Sequence, residues 1–396
     1  MRLWRIDMKV TALIMECNPF HGGHAYILKK AKEESSCDYL LVLMSGNYVQ
    51  RGEPALFPAH IRARSVLEGG ADLVLELPLP WATGSAEYFA RGAVSMLERL
   101  GVADTLCFGS ETGDTVFLTE AAGLLSCEDA AFKKALTEGL KKGLSYPAAR
   151  AIALSEKGFE RFARAGSNDL LAAEYIKALL SVKSTVSPLA VKRIPAPSAT
   201  DLRRAVLSGE REDLPDPVKR SLSLLPPAIP ASPDLFSGPL LHALWQACAG
   251  EGDLTAYPDI SPDLADRIES LLPSYEGFSS FCALLKTRNF TYTRISRCLL
   301  RLLLGLKKSD LDRWQEGGFS GYARVLGFKK ESSPLLRAIS ERSDIPLVTR
   351  LSSPPPLAPL WQDLLSLEIR AGLLYRLAAE KERPVRTEYE QALLVI

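Results

Sequence analysis

Several things are scarce in this sequence, and each scarcity excludes something. No uninterrupted apolar run reaches the roughly 18 residues that mark a membrane-spanning helix, since even Cys298–Leu306 is broken by Arg301. The N-terminal stretch MRLWRIDMKVTALIMEC lacks the apolar core of a secretory signal. Met8 is a candidate start beside Met1, because the residues before it carry no clear pattern. The seven cysteines (Cys17, Cys37, Cys107, Cys127, Cys248, Cys282 and Cys298) include no C-x-x-C pair, which argues against a disulfide framework and for a reducing cytoplasm. Histidines number only four, and 48 basic residues against 47 acidic leave a net charge of +1. A polyanion partner cannot be read from that balance, so any basic surface must be local.

What is present is an ordinary globular composition, with 47% hydrophobic and 24% charged residues. At about 100–200 residues per domain, 396 residues allow two or three domains. Val10–Glu16, Tyr39–Met44, Leu73–Leu77 and Thr105–Phe108 read as buried strands, and Gly23–Glu34, Pro58–Gly69 and Ser85–Leu100 as the helices between them. That alternation predicts βαβ units and a parallel α/β sheet. Such sheets bind ligands beyond the carboxyl ends of their strands, at a topological switch point. Ser126–Leu180 reads as helical with a turn at Ala165–Asp169, Leu189–Ile194 as a later strand, and a new helix begins at Leu202. The Pro- and Ser-rich stretch 213–239 is a linker signal. It divides the chain into an α/β region, 1–212, and a region read mainly as helices, 240–396.

Two of the four histidines follow the first strand, in Cys17-Asn18-Pro19-Phe20-His21-Gly22-Gly23-His24. Gly22 and Gly23 allow close backbone approach, and the start of the next helix suits an anion such as phosphate. His21 and His24 can donate hydrogen bonds to phosphate oxygens and stabilise charge in an α-phosphoryl displacement. Two other readings stand beside this one. The histidines could simply cap the turn, or with Cys17 they could ligate zinc. Zinc ranks last, because a fourth ligand is not evident and H-x-x-H lacks the i, i+4 spacing of the zincin pair, so no metal ligand is assigned.

H-x-G-H after a first strand resembles the signature of the nucleotidyltransferase superfamily. Asn18–His24 (NPFHGGH), Ser45–Ala55 (SGNYVQRGEPA), Gly70–Pro78 (GADLVLELP), Ser85–Ala90 (SAEYFA), Phe108–Glu111 (FGSE) and Ser167–Tyr175 (SNDLLAAEY) together resemble the bacterial tRNA(Met) cytidine acetate ligase family. The likeness runs across most of 8–205 and weakly beyond. It implies a Rossmann-like nucleotidyltransferase domain followed by a mainly α-helical C-terminal domain. The implied reaction adenylates acetate with ATP, releasing pyrophosphate, and passes the acetyl group to N4 of cytidine 34 in the anticodon of elongator tRNA(Met).

The resemblance places His21 and His24 at the α-phosphate and makes Ile14–Ile27 the ATP-lining stretch, with Ile14, Asn18, Pro19, Phe20, Gly22, Gly23 and Ile27 among its contacts. Gly109, in the loop after the fourth strand, is then the residue where the nucleoside meets the backbone or a simple turn glycine, Asn168 a nucleotide contact or a helix cap, and Arg193 a phosphate ligand or a surface arginine. Ser198-Ala199-Thr200-Asp201-Leu202-Arg203 resembles the superfamily's S-x-T-x-x-R element. There Ser198, Thr200 and Arg203 would cradle and neutralise the triphosphate, the alternative being a Ser/Thr cap beside a solvated arginine. Only Ile194–Pro197 precede this element, a shorter loop than the family's usual one. Mg²⁺ is expected with ATP because it neutralises phosphate charge. For acetate, Ser45-Gly46-Asn47 with Gln50 and Arg51 are candidates, or else they order a surface loop.

From Phe281 to Ser309 the sequence holds seven basic residues and no acidic one. Lys286, Arg288, Arg294, Arg297 and Arg301 are the candidate RNA contacts, the last three at i, i+3, i+7 on one helical face, with Phe290 and Tyr292 as stacking platforms. The bland alternative is an amphipathic helix with a solvated basic face. The expectation is an ATP-dependent ligase acting on tRNA. The alternatives are an adenylyl transfer or acyl-adenylate enzyme for a small metabolite, or a nucleotide-sensing RNA-binding protein without enzymatic activity. Neither a membrane nor an obligate protein partner is implied.

Overall fold

The computed structural model describes residues 8–126, 130–142, 146–225, 229–249, 252–380 and 387–396; Met1 and Cys127 lie outside them. Ten strands occur among the described residues: β1 (Val10–Met15), β2 (Tyr39–Ser45), β3 (Tyr48–Val49), β4 (Glu53–Pro54), β5 (Leu73–Leu77), β6 (Thr105–Ser110), β7 (Ser187–Lys192), β8 (Ala323–Phe328), β9 (Leu347–Val348) and β10 (Leu394–Val395). The four expected N-terminal strands are present, and the helices Gly22–Ser35, Ala59–Glu68 and Ala86–Leu100 connect them. Such strands are covered on both faces and therefore read as continuous apolar runs.

The main sheet runs β10-β8-β5-β2-β1-β6-β7, with β9 beside β8. All of its pairings are parallel except β5 with β8. From β1 the chain moves outward to β2 and β5 on one side, then returns to β6 on the other, so the switch point lies between β1 and β6. Side chains alternate between two cores. Val10, Ala12, Leu41 and Leu43 face one, and Leu13, Met15, Leu40, Val42 and Met44 face the other. The helices Gly22–Ser35 and Ala59–Glu68 cover the second face. An aspartate precedes each of three strands and ties it to a neighbour: Asp38, Asp72 and Asp104 accept the N–H groups of Lys9, Leu40 and Val10, each at 2.8 Å. These contacts help hold the register that places the strand ends together.

Reading 240–396 mainly as helices misses part of the architecture. Three strands from this stretch, β8, β9 and β10, extend the N-terminal sheet. Buried charge joins the two parts: Arg324 on β8 pairs with Glu76 on β5 at 2.8 Å and with Glu388 at 2.7 Å. Arg376, in the helix Pro359–Ala379, also bonds Glu388 at 3.0 Å. Glu76 was therefore a signal in the apolar run LVLEL, because a carboxylate in a buried strand needs a partner. Among the described residues no helix is long and apolar enough to cross a membrane.

Candidate active site

The loop between β1 and the helix Gly22–Ser35 is anchored by buried polar groups. Asn18 Oδ1 accepts the Leu56 N–H at 2.7 Å, and the Asn18 carbonyl accepts from Arg203 at 2.9 Å. The fully buried Arg62 donates to the carbonyls of Phe57, Glu16, Ser45 and Gly46, clamping the ends of β1 and β2 together.

His21 occupies the N-cap position in extended conformation. Its Nδ1 accepts the Gly23 N–H at 3.0 Å, while Nδ1 of His24 accepts the His21 N–H at 3.2 Å. The capping alternative is thus realised, and it has a chemical consequence. With Nδ1 an acceptor in each ring, the ring proton of the neutral form is assigned to Nε2. Burial pushes the His21 pKa down to about 4, with Arg193 adding to the effect. Burial, then the His21 and Arg193 charges, hold His24 well below the usual histidine range. Both rings are neutral hydrogen-bond donors at physiological pH.

They line a cavity of about 650 Å³ at the switch point. Its lining draws on the first turns of five helices: Gly22–Ser35, Ala86–Leu100, Ser167–Ser181, Ala199–Ser208 and Tyr292–Leu303. Helix N-termini carry unpaired N–H groups and partial positive charge, so the wall suits an anionic ligand.

Of the residues expected from sequence, Ile14, His21, Gly23, His24, Ile27, Gly109, Asn168, Arg193, Ser198 and Thr200 line this cavity. Gly109 lies within β6 rather than in the loop after it, and a Cβ there would sit 3.4 Å from both Arg193 Cγ and Ile27 Cδ1. Asn168 is not the cap of its helix; Gly166 is. Its Nδ2 donates to Glu111 at 2.6 Å, and Arg193 stands 3.9 Å from the same carboxylate. Ser198 does cap its helix, accepting the Asp201 N–H.

Five expected contacts lie outside the cavity lining: Asn18, Pro19, Phe20, Gly22 and Arg203. Asn18 is consumed as a loop anchor. Phe20 is buried, stacking on His24 with centroids 5.6 Å apart. A Cβ at Gly22 would meet nothing within 4 Å, so the glycine that the geometry requires is Gly23, where a Cβ would sit 2.9 Å from His21 Cε1. Arg203 is turned to the Asn18 carbonyl and to Thr200 Oγ1 at 3.3 Å.

The basic helix is corrected more sharply. Arg301 is 1% exposed and paired with Asp259 at 3.1 Å while also donating to the Pro80 carbonyl, so it is closed to nucleic acid. Arg294 bonds the Asp259 carbonyl and packs over Phe290. Arg297 lines the same cavity as His21 and His24. Lys286 and Arg288 are exposed.

Sequence reading left Tyr175, Thr293 and the apolar residues Ala86, Phe89 and Leu171 out of the site, although all line it, and it included Glu16 only as part of Ile14–Ile27, with no role of its own. Glu16 carried a signal, an acid ending a buried apolar strand. Burial raises its pKa, opposed by the Gln50 N–H, which donates to Oε1 at 2.6 Å, and by Arg51, Arg62 and Arg203.

A family model described as HIGH Nucleotidyl Transferase matches residues 8–390. The tRNA(Met) cytidine acetate ligase of Acetivibrio thermocellus is 35% identical, over 98% of this chain and 100% of its own. That of Clostridium tetani is 33% identical, over 96% and 98%. Thermotoga maritima TmcAL bound with alpha-thio ATP matches with a TM-score of 0.88 at 30% identity, covering 98% of this chain and all of that one. Its apo form gives the same TM-score at 29% identity.

Proposed function

The chain belongs to the tRNA(Met) cytidine acetate ligase family of HIGH nucleotidyl transferases, and we propose that its switch-point cavity activates acetate with ATP for transfer to cytidine 34 of elongator tRNA(Met). In the first half-reaction an acetate oxygen attacks the α-phosphorus. The mixed anhydride forms as the bond to the bridging β-phosphate oxygen breaks, and pyrophosphate leaves with that electron pair. In the second, the cytidine N4 amine attacks the acetyl carbonyl, AMP departs with the electrons of the anhydride bond, and the amine loses a proton. That amine is delocalised into its ring and weakly nucleophilic, so the acid has to be activated first.

The observation that carries this reading is the pair of neutral histidines whose Nδ1 atoms are both occupied. Each has Nε2–H to offer to oxygens that gain charge during displacement, and such fixed donors are the main protein contribution to phosphoryl transfer. Arg193 and the Ser198–Thr200 turn serve the polyphosphate, while Ile27, Gly109 and Asn168 meet the nucleoside. Mg²⁺ would ride on the triphosphate and water, its habit in such sites; among the described residues no group of three or more His, Cys, Asp or Glu comes together to hold it. The C-terminal region, with Lys286 and Arg288 on its surface, helps hold the tRNA, and a tRNA substrate places the reaction in the cytoplasm.

Incubation with ATP, labelled acetate and unmodified tRNA(Met) is expected to yield N4-acetylcytidine, AMP and pyrophosphate. An ATP-binding preparation that leaves the tRNA unacetylated overturns the proposal.

A further inference from the structure

Two buried donors on the cavity wall have nothing to donate to. Gln50 Nε2 and Arg297 Nε are shielded from solvent, and among the described residues neither has a hydrogen-bond partner. Both residues line the cavity that holds His21 and His24. They come from distant parts of the chain, the loop after β3 and the helix Tyr292–Leu303, and close backbone contacts hold these two segments together. Ser296 Oγ donates to the Gly52 carbonyl at 2.8 Å. Gly52 adopts φ 78°, and a Cβ there would lie 2.3 Å from the Arg297 nitrogen. Orphaned buried donors are costly to maintain, so a pair of them on residues that line one cavity points to a ligand with acceptors.

We infer that Gln50 and Arg297 form the subsite that holds the carboxylate of the acid substrate, an inference that rests on the acetate-activating reading above. A guanidinium and an amide offer planar N–H donors to match a carboxylate. The nearby Asp259 charge supports the charged form of Arg297 against its burial. Glu16 accepts from the Gln50 backbone and so fixes the loop that carries the amide. The triphosphate has its own donors at the Ala199 helix start. Ala86, Phe89, Leu171 and Tyr175 add an apolar wall to the same cavity, with the Phe89 and Tyr175 rings 6.4 Å apart. A short alkyl group is what such a wall accepts.

The test is acetate-dependent exchange of pyrophosphate into ATP by the full-length protein without tRNA, which isolates the first half-reaction. Gln50→Leu and Arg297→Met are each expected to raise the acetate KM about 10- to 100-fold, the range for hydrogen bonds to a charged group, with the ATP KM changed less than about 3-fold. Arg297→Lys keeps the charge without the fork and should recover only part of the loss. It also preserves the test if Arg297→Met fails to fold. An unchanged acetate KM with weakened tRNA affinity overturns the subsite and makes Arg297 a nucleic-acid contact. A parallel rise in the ATP KM overturns it in favour of the triphosphate. If the wild-type protein binds ATP but exchanges no pyrophosphate with acetate, the activity itself falls, a result distinct from exchange that persists with normal acetate KM in both variants.

Discussion

Nδ1 of His24 accepts the backbone N–H of His21 at 3.2 Å, and the two rings lie 4.0 Å apart, centroid to centroid. With the return bond from Gly23 to His21, the pair closes a capping box that uses one nitrogen of each imidazole and leaves the protonated one for a ligand. Helix capping and phosphate recognition compete as explanations of the motif in sequence. The folded protein realises the cap, and the cap sets the tautomer that phosphate recognition would need.

His24→Asn separates the cap from the donor. The amide can still accept from the backbone, whereas the Nε2–H donor is gone. Adenylate formation should fall about 100- to 1,000-fold, the usual cost of one transition-state donor, with little change in thermal midpoint. His24→Ala loses the cap as well and should cost about a further 1 kcal/mol of stability. Retained turnover in His24→Asn would show that the ring is only a cap.

The depressed histidines predict two pH effects. With His21 near 4 and His24 also low, kcat/KM for ATP in pyrophosphate exchange should not rise as pH drops from about 8 to about 6. An increase through the ordinary histidine range near 6.5 would mean that imidazolium is the working form. His60, also held near 4 chiefly by burial, binds its proton more readily in the unfolded chain. Between about 4 and 6.5 the unfolded state therefore carries more protons, and stability falls as pH falls. Wild type should lose more stability than His60→Asn between about pH 7 and pH 4.5. The comparison cancels the buried Glu368, raised to about 7, which acts in the opposite direction.

Gly52→Ala and Gly209→Ala make a matched pair. Both glycines have positive φ, 78° and 86°, so each alanine incurs left-handed strain of about 1–2 kcal/mol. Nothing stands within 4 Å of a Cβ at Gly209, but at Gly52 the Arg297 backbone does. Denaturant unfolding should show the larger loss for Gly52→Ala. Equal losses would mean that the loop can move off the helix without penalty.

On the basic segment, only exposed side chains should carry counterion release. Lys286→Ala and Arg288→Ala are each expected to lower the salt dependence of tRNA binding by about one unit of log–log slope. Arg301→Met should leave the slope unchanged while destabilising the fold by about 3 kcal/mol, since it orphans Asp259 and a buried carbonyl contact. A reduced slope in Arg301→Met would return that arginine to the nucleic-acid surface.

The strands β1, β2, β5 and β6, the helices between them and the histidine turn were readable because their signals are local. Continuous apolar runs mark buried strands, turn residues mark their ends, and the switch-point rule says which loops bind a ligand. Arg301 was not readable in this way. Its i, i+7 relation to Arg294 puts both on one helical face, but whether that face meets solvent depends on Asp259 and Pro80, 42 and 221 residues away. The strand Ala323–Phe328 was hidden for a related reason, because its neighbour β5 and its charge partner Glu76 belong to the other end of the chain.

Local periodicity and short motifs thus specify the N-terminal α/β framework and the histidine turn at its switch point. Folding alone decides which titratable groups are stripped of water and which distant donors are left without a partner. The histidines stay neutral, Arg301 is sealed into an ion pair, and Gln50 and Arg297 come to line one cavity because burial and long-range pairing, unlike periodicity, are properties of the assembled core.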